Sequence, residues 1–364
     1  MKRILSVVGA RPNFMKVAPI HRAFASDPQR WDHQIVHTGQ HYDAAMSDAF
    51  FRDLEMPHPA FFLGVGGGTH TEQTAKIMLG FEKVCNEAKP DYVIVVGDVN
   101  STIACAMVSV KLGVRTAHVE AGLRSFDRSM PEEINRLATD AIVDDLFVTE
   151  QSGLDHLLHE GVDPSRVHMV GNTMIDSLHF ARERAEQNSI HDRIGLQRGT
   201  YCLVTMHRPS NVDDPGQLRE LMGVVGEIAV SMPVVFPVHP RTRKNIDAMG
   251  LTVPASVTLL EPAGYIDFLA LMTHARVVLT DSGGIQEETT ALGVPCITAR
   301  TSTERPITVT MGTNVLVDPS RQGILDAMGR FLAGEHPTGA VPPLWDGHAA
   351  ERIVAVVGMV LSAS

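Results

Sequence analysis

The chain has 364 residues, which exceeds the size of one average hydrophobic core, so we expect two domains. Apolar residues make up 44% and charged residues 20% of the sequence, which excludes an intrinsically disordered chain. The formal net charge of −11 argues against a broad nucleic-acid-binding surface, although a few arginines and helix N-termini can still bind a small anion.

The N-terminus runs directly into a predicted strand, KRILSVVG, without the pattern of a signal peptide, and no apolar run has the length of a membrane span. We therefore expect a cytoplasmic protein. Four cysteines lie far apart in mostly apolar runs without metal-ligand spacing, namely Cys85, Cys105, Cys202 and Cys296. They are expected to be separate core thiols.

In the first half of the chain, short β-branched runs alternate with longer amphipathic segments, which indicates a parallel sheet covered by helices. The predicted strands are ILSVVG, HQIVHT, YVIVVG, RTAHVE, DLFVT and RVHMVG. They define a first domain over residues 1–175. A polar helical stretch over residues 176–199 is predicted to connect it to the rest of the chain.

The same alternation then starts again. The strands predicted there are YCLVTM, PVVFPV, SVTLLE, RVVLTD, PCITA and NVLVD, and they define a second domain over residues 200–346. The amphipathic helix at 347–364 can pack back on the first domain. The predicted fold class is α/β, with two doubly wound, Rossmann-like domains whose strand ends face a cleft between them.

The first turn after a strand, VVGARPNFMK, has one glycine rather than the three of a dinucleotide fingerprint, so it does not support NAD binding. Arg11 stands at the strand end and Lys16 lies one turn into the following helix. Strand-end loops carry the sites in this architecture, which favours a phosphate contact for Arg11 and leaves both readings open for Lys16. The alternative is a solvated basic pair.

Three carboxylates follow later strands. Asp98, after YVIVVG, is compatible with a helix N-cap and with an acid–base group. Glu120 ends RTAHVE, where no cap is needed, so burial beside a substrate is favoured, with Arg124 as a structural partner. Glu132 follows Pro131 in MPEEINR, where first-turn carboxylates also stabilise the helix dipole. Converging carboxylates can raise one another's pKa into a catalytic range.

In the second domain, histidines follow the first two strands. VTMHRPSN places His207 beside Arg208, and FPVHPRTR places His239 near Arg241. A single histidine is more often structural than catalytic. Two at strand ends, each with an arginine nearby, indicate contact with phosphate.

The run VVLTDSGGIQEETTALGVP is the most informative one. Its strand ends at Asp281, Ser282 can cap the next helix, and Gly283 and Gly284 let backbone amides approach a ligand. This pattern indicates an anion site at a helix N-terminus. Glu288, about one turn further along, can accept both hydroxyls of a ribose. The alternative is a plain glycine-rich turn before an acidic helix start.

Together these motifs resemble the non-hydrolysing UDP-N-acetylglucosamine 2-epimerases along nearly the whole chain. The matching strings, in family order, are GARPNFMK, TGQHYD, GDVNST, HVEAGLRS, MPEEINR, GNTMID, MHRPSN, PVHPRT, DSGGIQEE and TERP. So many strings in order are highly specific. The resemblance implies the two-domain fold shared with many glycosyltransferases (glycosyltransferase-B-like), with UDP held mainly by the second domain.

The resemblance also implies site residues. Catalytic roles fall on Asp98, Glu120, Glu132, His207 and Lys16. Contacts with the UDP-sugar are implied for Arg11, Phe268, Ser282, Gly283, Gly284, Glu288 and Arg305. His239 joins this set through the phosphate contact expected above. In these motifs Phe268 resembles the residue beside the uracil, and Arg305 resembles an active-site arginine.

The reaction that the resemblance implies is elimination of UDP to a 2-acetamidoglucal, followed by re-addition of UDP. A carboxylate removes the proton from carbon 2, and arginines and helix amides stabilise the diphosphate. Which carboxylate acts as the base stays open. No metal or cofactor is required. The expected partners are a UDP-sugar and a second copy of the chain, without nucleic acid or membrane, in cell-envelope polysaccharide synthesis.

Three segments depart from many bacterial members of this family. The sequence after the histidine is HRPSN rather than HRRE-N or HRAEN. Members activated by a second substrate molecule carry glutamine and arginine residues where this chain has Gln40-His41-Tyr42-Asp43 and GGGTHTEQT. A carboxylate at Asp43 would repel a second diphosphate, so we predict no such activation.

The sequence leaves alternatives open. An epimerase of a UDP-2,3-diacetamido-uronic acid would retain nearly all of these motifs, and a retaining UDP-sugar glycosyltransferase would share the fold and the UDP site. A hydrolysing epimerase would release free sugar. A non-catalytic nucleotide-sugar sensor is disfavoured because no expected catalytic carboxylate is missing.

Overall fold

The computed structural model of the chain describes residues 1–40, 51–238 and 240–362. The chain divides into two compact units, Met1–Phe180 with Pro343–Ser364, and Ala181–Pro342. Each unit contains one parallel sheet whose strands alternate with helices. The predicted α/β class with two doubly wound domains is therefore confirmed.

The first unit contains a seven-stranded sheet in the order β3-β2-β1-β4-β5-β6-β7, with every neighbouring pair parallel. Its strands are β1 Lys2–Val8, β2 Trp31–His37, β3 Phe61–Phe62, β4 Tyr92–Val96, β5 Arg115–Val119, β6 Asp145–Val148 and β7 Val167–Met169. Six of them match predicted strands. The edge strand β3 was not predicted, because two residues are too short to show a period.

Helices follow most of these strands. They are α1 Arg11–Ala25, α2 His70–Ala88, α3 Asn100–Lys111, α4 Pro131–Ile142, α5 Gln151–His159 and α6 Thr173–Glu186, with a 3₁₀ turn at Pro164–Arg166. Every residue of β4 is buried. This central strand is covered on both faces, which is why it reads as a continuous apolar run.

The second unit contains a six-stranded parallel sheet in the order β10-β9-β8-β11-β12-β13. Its strands are β8 Cys202–Thr205, β9 Val234–Pro237, β10 Val257–Leu260, β11 Val277–Thr280, β12 Cys296–Ala299 and β13 Asn314–Val317. All six match predicted strands. In both sheets the strand order reverses beside the first strand of the unit, between β1 and β4 and between β8 and β11. Ligands bind at such switch points, beyond the carboxyl ends of the strands.

The helices of the second unit come next, followed by a C-terminal helix. They are α7 Ile190–Ile194, α8 Pro209–Val212, α9 Pro215–Ser231, α10 Pro240–Ala248, α11 Tyr265–Thr273, α12 Gly283–Leu292, α13 Ile307–Thr310, α14 Arg321–Leu332 and α15 Ala349–Ser362. Among the described residues, no helix is both long and apolar enough to cross a bilayer. All four cysteines are buried and free.

The boundary between the units differs from the predicted connection at 176–199. The division lies inside α6, after Phe180, so the rest of that segment belongs to the second unit. The C-terminal segment joins the first unit from Pro343 onwards and contacts α1 through α15. Asp176 holds the start of α15, since its carboxylate accepts the Ala350 amide at 2.7 Å. A contact between distant segments thus sets a boundary that composition alone could not.

Candidate active site

Glu120 directly follows β5, and its buried carboxylate pairs with the buried ammonium group of Lys16 from α1. The backbone φ of Glu120 is +71°, in the left-handed region that costs a non-glycine residue about 1–2 kcal/mol. The predicted pairing of Glu120 with Arg124 is wrong. The Arg124 guanidinium instead bonds to Asp140 at 2.7 Å and to Glu160 at 2.7 Å. The ion pair with Lys16 compensates both buried charges.

Gly97 brings the end of β4 against this ion pair. Its φ is +67°, and a Cβ atom there would lie 3.1 Å from Lys16 Nζ and 3.7 Å from Glu120 Oε2. Both the backbone conformation and the close approach therefore require glycine. Asn13 bridges the two strand ends, since its Oδ1 accepts the Ala10 amide at 2.9 Å and its Nδ2 donates to the Val96 carbonyl at 3.2 Å.

Asp98 is the residue after Gly97, and its carboxylate accepts a hydrogen bond from Arg136 Nη1 at 2.5 Å. The N-cap of α3 is Val99, so the alternative of Asp98 as a helix cap is wrong. Asn135 Nδ2 also donates to the Asp98 carbonyl at 2.8 Å. Two side chains of α4 thus hold Asp98, which directly follows the glycine that approaches the Lys16–Glu120 pair.

Two neighbouring glutamates of α4 have different surroundings. As predicted, Pro131 begins the helix and Glu132 and Glu133 lie in its first turn. Glu133 is buried and accepts hydrogen bonds from the Ser125 amide at 3.0 Å and from Arg136 Nη2 at 2.7 Å. Burial opposes its ionisation, but these bonds outweigh burial and lower its pKa. Glu132 is partly exposed and makes no hydrogen bond or ion pair within the described ranges, so its carboxylate is the available one.

A buried histidine supports the same strand ends. His118, in β5, has Nε2 at 2.7 Å from the Gly97 carbonyl and Nδ1 at 2.6 Å from Asp140 Oδ1. Asp140 also accepts the Gly122 amide at 3.0 Å and Arg124 Nη1 at 2.7 Å. Burial would raise the pKa of Asp140, but His118 and Arg124 outweigh burial and lower it. Asp140 thereby supports the chain on both sides of Glu120.

In the second unit, the loop after β8 is held by the buried Asp281 at the end of β11. His207 Nδ1 lies 2.9 Å from Asp281 Oδ1, and the Arg208 amide and Asn211 Nδ2 donate to Asp281 Oδ2 at 2.9 and 2.8 Å. The predicted site residue His207 therefore lies beside the start of α12. His239, by contrast, lies outside the described residues.

The predicted anion site lies at the start of α12. Ser282 occupies the N-cap position but its side chain makes no capping bond, so the predicted cap is wrong and its hydroxyl keeps its hydrogen-bonding capacity. A Cβ atom on Gly283 would lie 2.8 Å from Arg305 Nη1, which places that guanidinium over the helix N-terminus. Arg305 is held by Glu287, with Nε at 2.9 Å from Oε1. An arginine and a helix N-terminus are both positive, and this combination favours an anion.

Glu288 lies further along α12, fully enclosed, where Tyr265 donates its hydroxyl hydrogen to Oε1 at 3.1 Å. Burial raises the pKa of Glu288 to about 8, with a further contribution from the charge of Glu287 and an opposing one from Tyr265. Phe268 lies three residues after Tyr265 on α11, hence on the same helix face, and is partly buried. The predicted ribose and uracil residues thus lie on neighbouring helices, which contact each other.

Two further positions complete the described part of the predicted set. Arg11 is the first residue of α1, at the carboxyl end of β1, and Gly284 is the second residue of α12. Among the described residues, no group of three or more histidine, cysteine, aspartate or glutamate side chains has the arrangement of a metal site.

A family model described as UDP-N-acetylglucosamine 2-epimerase matches residues 23–358. The chain belongs to this family. The resemblance drawn from the motifs is therefore confirmed.

Similar proteins of this family include a UDP-N-acetylglucosamine 2-epimerase from Methanocaldococcus jannaschii, 39% identical over 361 residues, covering 96% of this chain and 97% of that protein. Its crystal structure in complex with UDP-GlcNAc and UDP has a TM-score of 0.90 and covers 99% of this chain and 100% of the other. A UDP-2,3-diacetamido-2,3-dideoxy-D-glucuronate 2-epimerase from Pseudomonas aeruginosa is 42% identical over 329 residues, covering 89% of this chain and 91% of that protein.

Sequence reasoning within this family found the exposed or motif-borne groups but missed their buried partners. Asp281 appeared only as the end of a strand, and Asp140 and Arg136 did not appear as site residues at all. For Asp281 a signal was present in the sequence. It is an aspartate at the end of an apolar strand, directly before a glycine-rich helix start, and such a residue needs several hydrogen-bond donors when it is buried. For Asp140 and Arg136, which lie on a polar-looking helix, we find no such signal.

Proposed function

We propose that the chain is a non-hydrolysing UDP-N-acetylglucosamine 2-epimerase, an isomerase that interconverts UDP-GlcNAc and UDP-ManNAc. The observation that carries this proposal is the presence of two kinds of group at strand ends, one kind in each unit. The first unit supplies acid–base groups around the Lys16–Glu120 pair, and the second supplies a cationic helix N-terminus with Arg305. An elimination that releases a diphosphate requires both kinds of group.

The first half of the proposed reaction breaks two bonds. A carboxylate takes the proton from carbon 2 of the sugar, the C2–H electron pair forms the C1–C2 double bond, and the C1–O bond electrons leave with UDP. The products are a 2-acetamidoglucal and UDP. Asp98, Glu120 and Glu132 are the candidate bases, and the charge of Lys16 keeps a carboxylate at Glu120 stable in a buried position.

The departing diphosphate gains negative charge, and the second unit offers donors to receive it. These are the amides of Gly283 and Gly284, the Ser282 hydroxyl and the Arg305 guanidinium, with Arg11 as a further cation in the first unit. Preorganised donors of this kind stabilise a developing anion without reorganisation. In the same proposal Glu288 binds the ribose, Phe268 lies beside the uracil, and His207 acts on the diphosphate.

The second half reverses these steps on the other face of carbon 2. UDP adds to carbon 1 while a proton is delivered to carbon 2 from the side opposite to its removal, so atoms and charges balance and only the configuration changes. Two groups on opposite sides of the sugar are needed for this inversion. Three carboxylates, one after β4, one after β5 and one on α4, can supply them.

We also propose that the enzyme acts in the cytoplasm as a homodimer, in cell-envelope polysaccharide synthesis. These aspects are based on the sequence motifs. A second candidate substrate is a UDP-2,3-diacetamido-uronic acid, which is favoured by the 42% identity to the Pseudomonas aeruginosa relative. Family membership removes the reason to propose a glycosyltransferase.

The test is proton NMR of the purified protein in deuterated water, with UDP-GlcNAc in one sample and the diacetamido-uronate in another. We expect UDP-GlcNAc to equilibrate with UDP-ManNAc and deuterium to enter carbon 2. Conversion without deuterium would contradict proton abstraction. Turnover of the uronate alone would transfer the assignment to the second candidate, and release of free sugar would indicate a hydrolysing enzyme.

A further inference from the structure

Asp281 is fully buried at the carboxyl end of β11, and one loop surrounds its carboxylate with polar groups. The His207 amide at 3.1 Å, the Arg208 amide at 2.9 Å and Asn211 Nδ2 at 2.8 Å donate hydrogen bonds to Oδ2, and His207 Nδ1 lies 2.9 Å from Oδ1. Burial would raise the pKa of Asp281, but these donors outweigh burial and lower it, with His207 the largest contributor. The carboxylate is therefore ionised and can only accept.

The other end of the His207 ring is in a different situation. The side chain is 59% exposed, and Nε2 has no hydrogen-bond partner among the described residues. Because Asp281 only accepts, Nδ1 of a neutral ring carries the proton, and Nε2 presents its lone pair. A protonated ring has Nε2–H as a donor, with its charge compensated by Asp281.

The same aspartate also lies at the start of the anion site. Asp281 directly precedes Ser282 and Gly283, and β8 and β11 are paired so that Thr205 lies beside Thr280. The loop that carries His207 and the N-terminus of α12 are therefore adjacent, and one buried carboxylate fixes the first relative to the second.

We propose that Asp281 is a positioning residue, which holds His207 in the Nδ1–H form with Nε2 directed to the diphosphate of the UDP-sugar. This role rests on the proposed function. This role differs from that of a loop anchor, a residue that only fixes the loop after β8. A loop anchor would need the hydrogen bonds from the two backbone amides and Asn211, but not the contact with the His207 imidazole.

The test compares three single variants and one double variant of the full chain. Asp281→Asn keeps the size of the side chain but presents an amide to the ring. Asn211→Ala is the matched control, since it removes one loop bond to the same carboxylate and leaves His207 Nδ1 paired. His207→Ala, alone and combined with Asp281→Asn, shows whether the aspartate acts through the histidine.

Three readouts are measured: the His207 tautomer by long-range proton–nitrogen correlation NMR at alkaline pH, UDP binding by calorimetry, and kcat. We expect Nδ1–H in the unmodified protein and in Asn211→Ala, with kcat of that control within about threefold. In Asp281→Asn the Nδ1–H form should be lost and kcat should fall about a hundredfold or more, with UDP affinity within about threefold. Adding Asp281→Asn to His207→Ala should lower kcat no further.

Several results would overturn the proposal. One is an Nε2–H ring in the unmodified protein, a readout that does not depend on any variant folding. Another is an equal loss of kcat in Asn211→Ala and Asp281→Asn with an unchanged tautomer, which would make Asp281 a loop anchor. An unmodified protein that binds UDP with the Nδ1–H ring but turns over no sugar would contradict the proposed function instead.

Discussion

The two units each place a buried aspartate against a histidine near the switch point of a sheet, with opposite results. His118 is 0% exposed, and both ring nitrogens are occupied, by Asp140 and by the Gly97 carbonyl. His207 is 59% exposed, and only Nδ1 is occupied. The pair itself therefore does not define function. What matters is whether the second ring nitrogen already has a protein partner, because only a ring with a free nitrogen can exchange a proton or bond with a ligand.

This difference follows from where each histidine lies. His118 is inside β5, a strand covered on both faces, so its polar atoms must find protein partners. His207 comes two residues after the end of β8, in a loop where one side of the ring can remain solvated. In the first unit the His118–Asp140 pair thus supports the backbone around Glu120 and Asp98. In the second unit the His207–Asp281 pair leaves one nitrogen of the His207 ring accessible.

The largest expected effects concern the three candidate catalytic carboxylates of the first unit, two of which the His118–Asp140 pair supports. Asp98→Asn, Glu120→Gln and Glu132→Gln are each expected to lower kcat about a hundredfold or more, since acid–base groups contribute ~10²–10⁴-fold. UDP affinity should change little, because most of the proposed UDP contacts lie in the second unit. Steady-state kinetics with calorimetry checks both. A variant with near-normal kcat would show that its carboxylate is structural. Glu133→Gln is the matched control for Glu132→Gln, and it should mainly lower stability.

The two histidines themselves give the sharpest comparison. His118→Gln is expected to lower the free energy of unfolding by about 2–4 kcal/mol, because a partner of buried Asp140 is lost. His207→Gln should change stability by less than about 1 kcal/mol, since the ring is exposed and buried Asp281 keeps two backbone amides and Asn211 as donors, but should lower kcat about a hundredfold. Urea unfolding and kinetics of both variants separate the two effects. If the two variants lost stability equally, the contrast drawn here would be invalid.

A smaller effect is expected for Glu288. Glu288→Ala should weaken UDP binding by about 1–3 kcal/mol, through loss of a buried hydrogen-bonding partner. Since the pKa of Glu288 is about 8, the group is mostly protonated at pH 7, whereas accepting two ribose hydroxyls requires the carboxylate.

UDP binding should therefore release up to about one proton at pH 7, and affinity should increase as pH rises towards 8. Calorimetry in buffers of different ionisation enthalpy measures this release. Glu288→Gln is the control and should abolish it. Affinity for UDP that is unchanged in Glu288→Ala would remove the residue from the ribose role.

The smallest expected effect concerns regulation. We predict that the reverse reaction, started with UDP-ManNAc alone, proceeds without a lag. Asp43, on which this prediction partly rests, lies outside the described residues, as do His41 and Tyr42. In the second segment, Thr69 and Glu72 bond each other in a capping box at the start of α2, which occupies their side chains. A pronounced lag that a trace of UDP-GlcNAc abolishes would contradict the prediction.

Much of this molecule follows from its sequence. The strands were predictable because buried parallel strands are short apolar runs between glycine-containing turns, and β3 was missed because it is too short for a pattern. Pro131 and the two glutamates after it identify the start of α4 through local preferences. Motif order was enough to indicate the family.

The tertiary structure alone decided how these residues are used. Lys16 and Glu120 are 104 residues apart, and His207 and Asp281 are 74 apart, so their pairing depends on which strands become neighbours. The same dependence explains why Glu120 pairs with the buried Lys16 rather than with Arg124, and why Glu133 is buried while Glu132 stays available. Local sequence determines where helices start and which strand residues alternate. Burial and the choice of partner are determined only when distant strand ends come together. The reason is that an unpaired buried charge is costly, and the groups that can pair with it come from other parts of the chain.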